Sequence, residues 1–349
     1  LMPSPERFPS AADGKGFGPL ADYVHSLGLK FGIHIMRGIP RQAVHRNTKI
    51  LGSGKTARQV AKTDSICHWN TDMYGVDTSK EGAKEYYESI FRLYAEWGVD
   101  FIKVDDIARE LPHEEEELIM LSEALHSCGR EMILSLSPGP ALLEKAELYK
   151  QVANMWRITD DFWDKWELLY AMFERAEKWC VHSGAGHWPD ADMLPVGAIL
   201  RDYGNDGWTK FTEDEQYTML NLWCIMRSPL MIGGDMTFND KFTLDLLTNA
   251  DLLEMLSMAR SSHQIFKRTE NGTERIVWKA FRSDGGYYIC VFNTSEAEAE
   301  ITVDLAECEL FGKYDIFDIW EKSTETAKDS ITAKIPPHGS KAYKLTETK

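Results

Sequence analysis

The sequence lacks the features that mark a membrane protein, a secreted precursor or a disulfide-stapled domain. No apolar run approaches the roughly 18 residues of a membrane span, and no basic segment followed by an apolar run opens the chain. The six cysteines are scattered and include no C-x-x-C pair, a spacing that fits neither a zinc site nor a disulfide scaffold. We therefore expect buried reduced thiols, a cytoplasmic location and no membrane partner.

Positive charge is also in short supply. The 39 Lys and Arg residues face 55 Asp and Glu residues, which gives a net charge of −16. Such a charge repels phosphate backbones and anionic lipid, so we expect no nucleic-acid partner. Apolar residues make up 43% of the chain and charged residues 27%, which excludes a disordered or fibrous protein. Homo-oligomerisation is left open.

Helical and extended patterns alternate over the first 234 residues. Helical spacing of apolar residues predicts helices over 18–27, 80–97 and 114–128. Short apolar runs predict strands over 29–35, 99–104, 132–136, 153–157, 185–188 and 228–232. This alternation favours a (β/α)8 barrel, of which the chain supplies six strands. We expect the chain to begin two βα units into the barrel.

The pattern changes near residue 260. The remaining chain consists of β-rich runs separated by turn residues, as at Asp284-Gly285-Gly286. We therefore predict a barrel domain over residues 1–260 and a small antiparallel all-β domain over residues 261–349.

Charged residues gather where the predicted parallel strands end, which is where barrel enzymes place their reactive groups. Asp105 and Asp106 follow one strand, with Lys103 just before them, and Arg157, Asp160 and Asp161 lie at the end of another. Between them in the chain, the uncharged Ser137 follows the strand predicted at 132–136. Two carboxylate clusters beside a Lys and an Arg suit a retaining glycosidase. The alternative is that these aspartates only cap helix N-termini.

Three ordered motifs carry a family resemblance. Residues 97–105 read WGVDFIKVD, residues 156–166 read WRITDDFWDKW, and residues 186–194 read GHWPDADML. These segments resemble the nucleophile strand, the acid/base segment and a following motif of glycoside hydrolase family 27. The family comprises α-galactosidases and α-N-acetylgalactosaminidases, and the resemblance implies a barrel with a C-terminal β domain.

The resemblance implies the following roles. Asp105 is the nucleophile, and Asp161 is the general acid/base because the family's acid lies four residues after the arginine. Lys103 and Arg157 bind sugar hydroxyls, and Ser137 lies beside C2 of the sugar, as in enzymes that accept an acetamido group. Asp106, Trp69 and Tyr74 complete the substrate-binding candidates. The implied substrate is an α-galactoside or an α-N-acetylgalactosaminide.

The third-strand motif departs from the family pattern. The usual G-I-Y-S-D-A-G reads GIHIMRG at residues 32–38, which places His34, Met36 and Arg37 where the family has Tyr, Asp and Ala. This change leaves the substrate specificity open between the two sugars.

We expect neither a cofactor nor a metal ion. Residues 52–56 (GSGKT) lack the first glycine of a phosphate-binding loop. The histidines are too dispersed in the sequence to indicate a metal site and often only line polar surfaces. A metal-dependent barrel hydrolase and a non-catalytic sugar-binding homologue remain as alternatives.

Overall fold

The computed structural model describes residues 1–109, 114–199, 207–327 and 329–348. Its internal contacts divide the chain into two compact units, Leu1–Arg157 and Ile158–Lys349.

The first unit contains seven described strands and six described helices. The strands are β1 (Gly32–Met36), β2 (Ile39–Pro40), β3 (Ala61–Ile66), β4 (Met73–Val76), β5 (Phe101–Asp105), β6 (Ile133–Leu136) and β7 (Met155–Arg157). The helices are α1 (Gly18–Ser26), α2 (Arg41–His45), α3 (Ala57–Val60), α4 (Ala83–Glu96), α5 (Glu115–His126) and α6 (Ala146–Val152). Strands β1, β5, β6 and β7 form one parallel sheet in that order. The predicted helices at 18–27, 80–97 and 114–128 are confirmed as α1, α4 and α5.

Helix α4 and strand β5 show how the sequence sets this layer. Tyr87, Phe91 and Tyr94 are buried at helical spacing on α4. Gly98 then takes a φ of 76°, a left-handed conformation that favours glycine and turns the chain into β5. Ile102 and Val104 are fully buried, whereas the alternate residues of β5 are half-buried.

One part of the first unit was not predicted. Strands β2, β4 and β3 form a small antiparallel sheet within residues 39–76, which the sequence pattern left without strands. The reason is local: β3 reads AKTDSI, a mostly polar and partly exposed segment with little apolar alternation to detect.

The second unit begins with short βα elements. They are α7 (Trp166–Trp179), β8 (Trp188–Asp190), β9 (Met193–Leu194), α8 (Glu213–Met226), β10 (Met231–Ile232), α9 (Lys241–Leu247) and α10 (Ala250–Met258). Strands β9 and β10 pair in parallel. The strand predicted at 185–188 starts three residues later than expected, and β9 was not predicted. Pairs this short leave almost no periodicity in the sequence.

Antiparallel strands follow α10. They are β11 (Ala259–Glu270), β12 (Thr273–Arg282), β13 (Tyr287–Asn293), β14 (Ala299–Asp304), β15 (Tyr314–Asp318), β16 (Thr324–Ala327), β17 (Ser330–Ile335) and β18 (Ser340–Glu347). Six form a sheet of order β11-β12-β13-β18-β15-β16, and β14 pairs with β17. Alternate apolar residues of both sheets, including Val277, Ile289, Val303 and Ile331, share one core.

The structure gives the state of the cysteines and the character of the helices. All six cysteines lie in the described residues and are free thiols, of which only Cys128 is not fully buried. Of the helices in the described ranges, none is long and apolar enough to cross a membrane.

Candidate active site

Asp105 is the last residue of β5, at the carboxyl end of the parallel sheet. Its neighbour in register on β1 is Met36, and Lys103 pairs with His34 one step earlier along the same face. Because side chains alternate along a strand, Lys103 and Asp105 lie on the same side of the sheet. This arrangement brings a cation and a carboxylate to the sheet edge where barrel enzymes carry out their chemistry.

Three groups from three segments hold the Asp105 carboxylate. The Ser137 hydroxyl donates to Oδ1 at 2.8 Å, and the backbone N–H of Asp106 donates to the same oxygen at 3.0 Å. The His34 imidazole Nε2 lies 3.1 Å from Oδ2. Burial by itself would raise the pKa of Asp105, but the hydrogen bonds from His34, Ser137 and the Asp106 N–H outweigh it and lower the pKa below its ordinary value. The carboxylate is therefore held in its charged form.

The structure places two predicted substrate-binding residues away from solvent. Ser137 is 1% exposed and gives its hydroxyl to Asp105, and Asp106 is 3% exposed. The Asp106 carboxylate accepts a hydrogen bond from Arg37 at 2.8 Å. Their assignment to sugar binding stays a prediction, and the contacts that the structure does give them are with the residues around the nucleophile candidate.

Arg37 is the centre of a buried cluster of charged side chains next to Asp105. Besides Asp106, its guanidinium lies 3.0 Å from Glu117 Oε2 and 3.3 Å from Glu114 Oε2. Burial raises the pKa of Glu117 to about 7, although Arg37 and the Tyr87 hydroxyl act in the opposite direction. Gly38 follows Arg37 with a φ of 89°, and a Cβ there would lie 2.0 Å from the Tyr74 carbonyl oxygen. The chain can make this turn only with glycine at position 38.

The remaining candidates of the first unit occupy different environments. Lys103 is half-buried, and Arg157 is 5% exposed at the end of β7. Trp69 is 48% exposed in the loop between β3 and β4. Tyr74 lies on β4, where the Arg41 guanidinium sits 4.9 Å from its ring centroid. Their roles toward a sugar stay predictions.

Asp161 lies in the second unit, on the loop before α7. The loop is anchored on both sides of Asp161, because the N–H of Ile158 donates to the Asp190 carbonyl at 2.9 Å and the N–H of Phe162 donates to Asp192 Oδ2 at 2.8 Å. Asp190 and Asp192 are buried, whereas Asp161 is exposed. The neighbouring Asp160 accepts the N–H of Asp161 at 2.9 Å. Two segments that resemble the family are thus packed together in this unit.

In the sequence, His34 and Arg37 stand out only as departures from a family motif. The structure shows that His34 contacts Asp105 and that Arg37 contacts Asp106. The only signal in the sequence was the altered third-strand motif, which does not say what the new side chains touch.

Within the described ranges, no three His, Cys, Asp or Glu side chains come close enough together to hold a metal ion. Lys55, from the segment that invites a phosphate-loop interpretation, forms an ion pair with Glu81 at 2.9 Å.

Two family models match most of the chain between them. The family model for "Alpha galactosidase A" matches residues 75–256, and the model for "Alpha galactosidase C-terminal beta sandwich domain" matches residues 272–345. A crystal structure of a family 27 β-L-arabinopyranosidase from Geobacillus stearothermophilus is similar with a TM-score of 0.95 and 51% identity, covering 100% of this chain and 81% of that one.

Curated relatives are more distant in sequence. Alpha-galactosidase 2 of Arabidopsis thaliana is 28% identical over 353 residues, covering 100% of this chain and 76% of the relative. The alpha-galactosidase of Coffea arabica is 28% identical over 349 residues, covering 99% of this chain and 79% of the relative. The predicted architecture, a TIM-barrel domain followed by a β-sandwich domain, is confirmed. The chain belongs to glycoside hydrolase family 27 and is a glycosidase that acts on carbohydrate.

Proposed function

We propose that this protein is a retaining exo-glycosidase that removes a terminal sugar by double displacement, with Asp105 as the nucleophile and Asp161 as the general acid/base. The observation that carries the proposal is the Asp105 carboxylate, held in its charged form at the carboxyl end of β5. A carboxylate must be ionised to attack the anomeric carbon.

The chemistry proceeds in two steps. In the first, an Asp105 oxygen forms a bond to the anomeric carbon while the bond to the leaving oxygen breaks, and Asp161 gives its proton to that oxygen. In the second, Asp161 takes a proton from water, whose oxygen attacks the anomeric carbon and releases the Asp105 carboxylate. Two inversions give net retention of configuration.

The choice of Asp161 as the acid/base has two supports. It occupies the family's register four residues after Arg157, and it is an exposed carboxyl on a loop that Ile158 and Phe162 anchor on either side. The preceding residue, Asp160, is also exposed, and one of its carboxylate oxygens accepts the backbone N–H of Asp161. We propose that Lys103 and Arg157 bind sugar hydroxyls, and that Trp69 and Tyr74 contribute aromatic surface.

We propose that the substrate is a terminal sugar of the α-D-galactopyranosyl configuration. The names of the curated relatives support an α-D-galactoside. A second candidate, the β-L-arabinopyranoside, is favoured by the relative at 51% identity. This pentose has the same configuration at the ring carbons C1 to C4 and lacks the C6 hydroxymethyl group. Because the Ser137 hydroxyl is committed to Asp105, an N-acetylgalactosaminide is the less favoured third candidate.

The test uses the intact protein with nitrophenyl glycosides of the three sugars. The ratio of kcat/KM values identifies the sugar, and NMR identifies the anomer released first. We expect the first product to keep the configuration of the substrate. Release of the opposite anomer would refute double displacement, and turnover of none of the three would refute the substrate class.

A further inference from the structure

Asp106, the residue after the proposed nucleophile, has an unusual backbone conformation. Its φ is 63°, in the left-handed region that non-glycine residues seldom occupy without help from their surroundings. In this conformation its N–H donates to Asp105 Oδ1 at 3.0 Å. The orientation of the Asp105 carboxylate is therefore coupled to the backbone angle of Asp106.

Arg37 binds the chain on both sides of this N–H. Its backbone N–H donates to the Asp105 carbonyl at 2.9 Å, and its Nε donates to the Asp106 carbonyl at 2.8 Å. Its Nη2 donates to Asp106 Oδ2, also at 2.8 Å. A guanidinium can do this because its N–H donors form a rigid planar fork, which a lysine ammonium lacks.

Further side chains hold the Arg37 guanidinium in place. Its Nη1 donates to the Ser65 hydroxyl and to Glu117 Oε2, both at 3.0 Å, and the Arg37 side chain is 4% exposed. Ser65 in turn donates to Glu114 Oε1 at 2.7 Å. Three carboxylates therefore surround one buried cation, and residues from β3, from α5 and its N-cap, and from the segments that follow β1 and β5 meet at this point.

We propose that Arg37 is a positioning residue for the nucleophile, which acts by holding Asp106 in its left-handed conformation so that the Asp106 N–H stays on Asp105. The proposal rests on the proposed function in one respect, namely that Asp105 is the nucleophile. It gives Asp106 a role beside the nucleophile and explains why this chain carries arginine where the family motif has alanine.

The decisive variant is Arg37→Lys, which keeps the buried positive charge and removes the fork. A nucleophile that loses its fixed orientation loses rate on the order of 10²-fold. We expect this loss in kcat, with KM little changed, because the Arg37 side chain is buried and its hydrogen bonds are with Asp106, Ser65 and Glu117.

A pH profile separates positioning from a merely structural role. Asp105 is faced by His34 from β1, by Ser137 after β6, by the Asp106 N–H and by Lys103 on its own strand, while Arg37 is faced by Asp106, Glu114 and Glu117. Without the Asp106 N–H, the charged form of Asp105 is less stabilised. The acid limb of kcat/KM should therefore move to higher pH by about one unit.

Arg130 provides a matched control at the other end of β5. Its Nε donates to the Val99 carbonyl at 2.9 Å, and its Nη2 lies 2.6 Å from Asp100 Oδ1. Like Arg37, it therefore contacts both a backbone carbonyl and a carboxylate. Arg130→Lys should leave the acid limb of the profile in place.

Asp106→Asn provides a second measurement should Arg37→Lys fail to fold. Asparagine tolerates the left-handed conformation and retains the backbone contact with Arg37 Nε, so we expect a smaller shift of the limb in the same direction. The proposal is overturned if the acid limb of the kcat/KM profile stays in place in Arg37→Lys. If only Asp106→Asn folds, an unchanged acid limb in that variant overturns it. An equal shift in Arg130→Lys also overturns it.

Asp105→Gly distinguishes failure of this proposal from failure of the proposed function. If Asp105→Gly retains full activity, the nucleophile assignment is wrong and the inference fails with it. If Asp105→Gly is inactive while the limb in Arg37→Lys is unchanged, the nucleophile stands and only the role of Arg37 is wrong.

Discussion

Asp105 is subject to two opposing effects on its charge. Burial favours the neutral acid, while hydrogen bonds from His34, Ser137 and the Asp106 N–H favour the carboxylate, and the hydrogen bonds prevail. A glycosidase nucleophile must stay ionised at the working pH, whereas the acid must hold a proton until the leaving oxygen needs it. The surroundings of Asp105 therefore support its proposed role as the nucleophile and not as the acid.

Asp105→Gly should lower kcat by at least about 10⁴-fold, because every turnover requires the covalent intermediate. Added azide should restore turnover of an activated aryl glycoside and yield the glycosyl azide of inverted configuration, detected by NMR. The exposed Asp64 on β3 is the matched control, and Asp64→Gly should keep activity. Failure of azide to give the inverted azide would contradict the nucleophile assignment.

Asp161→Asn should impair substrates with poor leaving groups far more than those with good ones. A weakly basic leaving group departs without protonation, so the loss should fall from roughly 10³-fold for an alkyl aglycone toward unity for dinitrophenolate. The plot of log kcat/KM against leaving-group pKa measures this. Asp160→Asn is the control on the adjacent residue, and a steeper plot for that variant would reverse the assignment.

At the scale of elements, strand β5 is held at both ends by carboxylates. At its start, Asp100 accepts the Phe31 N–H at 2.9 Å and lies 2.7 Å from His25 and 2.6 Å from Arg130. Burial opposes these contacts, yet together they lower the pKa of Asp100 to about 2. Just after its end, the Asp106 carboxylate accepts a hydrogen bond from Arg37, which also forms an ion pair with Glu117 of α5. These contacts join helices to the strand that carries the proposed nucleophile.

Glu117 makes the stability of this cluster depend on pH. Its pKa is about 7 in the folded protein, above the value of about 4.3 for an unfolded chain, so the native state binds the proton more tightly. Its contribution to stability is therefore complete below about pH 4 and is lost as the pH rises toward 7. Glu117→Gln removes this dependence. As the pH rises from 5 to 8, the unfolding free energy of the parent should therefore fall relative to that of the variant by about 2–3 kcal/mol.

Urea unfolding at several pH values measures the effect of Glu117→Gln. The control is Glu116→Gln, an exposed position on the same helix whose carboxylate accepts the Thr78 hydroxyl at 2.9 Å. The difference between that variant and the parent should not vary over this range. A constant difference for Glu117→Gln would show that Glu117 is already ionised in the folded protein.

At the scale of the whole molecule, charge and chemistry agree. The net charge of −16 suits an enzyme whose substrate is an uncharged sugar and opposes binding to polyanions. The proposed reaction uses two carboxylates and water, and none of its steps calls for a metal ion or an organic cofactor.

Dialysis against EDTA should leave kcat/KM unchanged for the intact protein, because the proposed roles belong to aspartates. The assay uses the aryl glycoside that gives the highest rate. Activity that is lost with EDTA and restored by a divalent cation would favour a metal-dependent barrel hydrolase, the alternative that the sequence left open.

The sequence by itself determined the order of helices and strands, the change to antiparallel β structure, and the position of Asp105 at the end of β5. These features arise from periodicity and from motifs that are contiguous in the chain, so local information suffices for them. The family resemblance added the roles of Asp105 and Asp161. The small sheet of β2, β4 and β3 was not predicted, because β2 and β4 are only two and four residues long and β3 is mostly polar.

Only the tertiary structure decided what surrounds Asp105, the proposed nucleophile. His34 lies 71 residues from Asp105 in the chain, Arg37 lies 69 residues from Asp106, and Ser137 lies 32 residues from Asp105. Which donor reaches which oxygen depends on the register of neighbouring strands and on the rotamer that packing selects, neither of which is encoded by spacing along the chain. The sequence therefore predicted a candidate nucleophile, and the fold determined which groups surround its carboxylate.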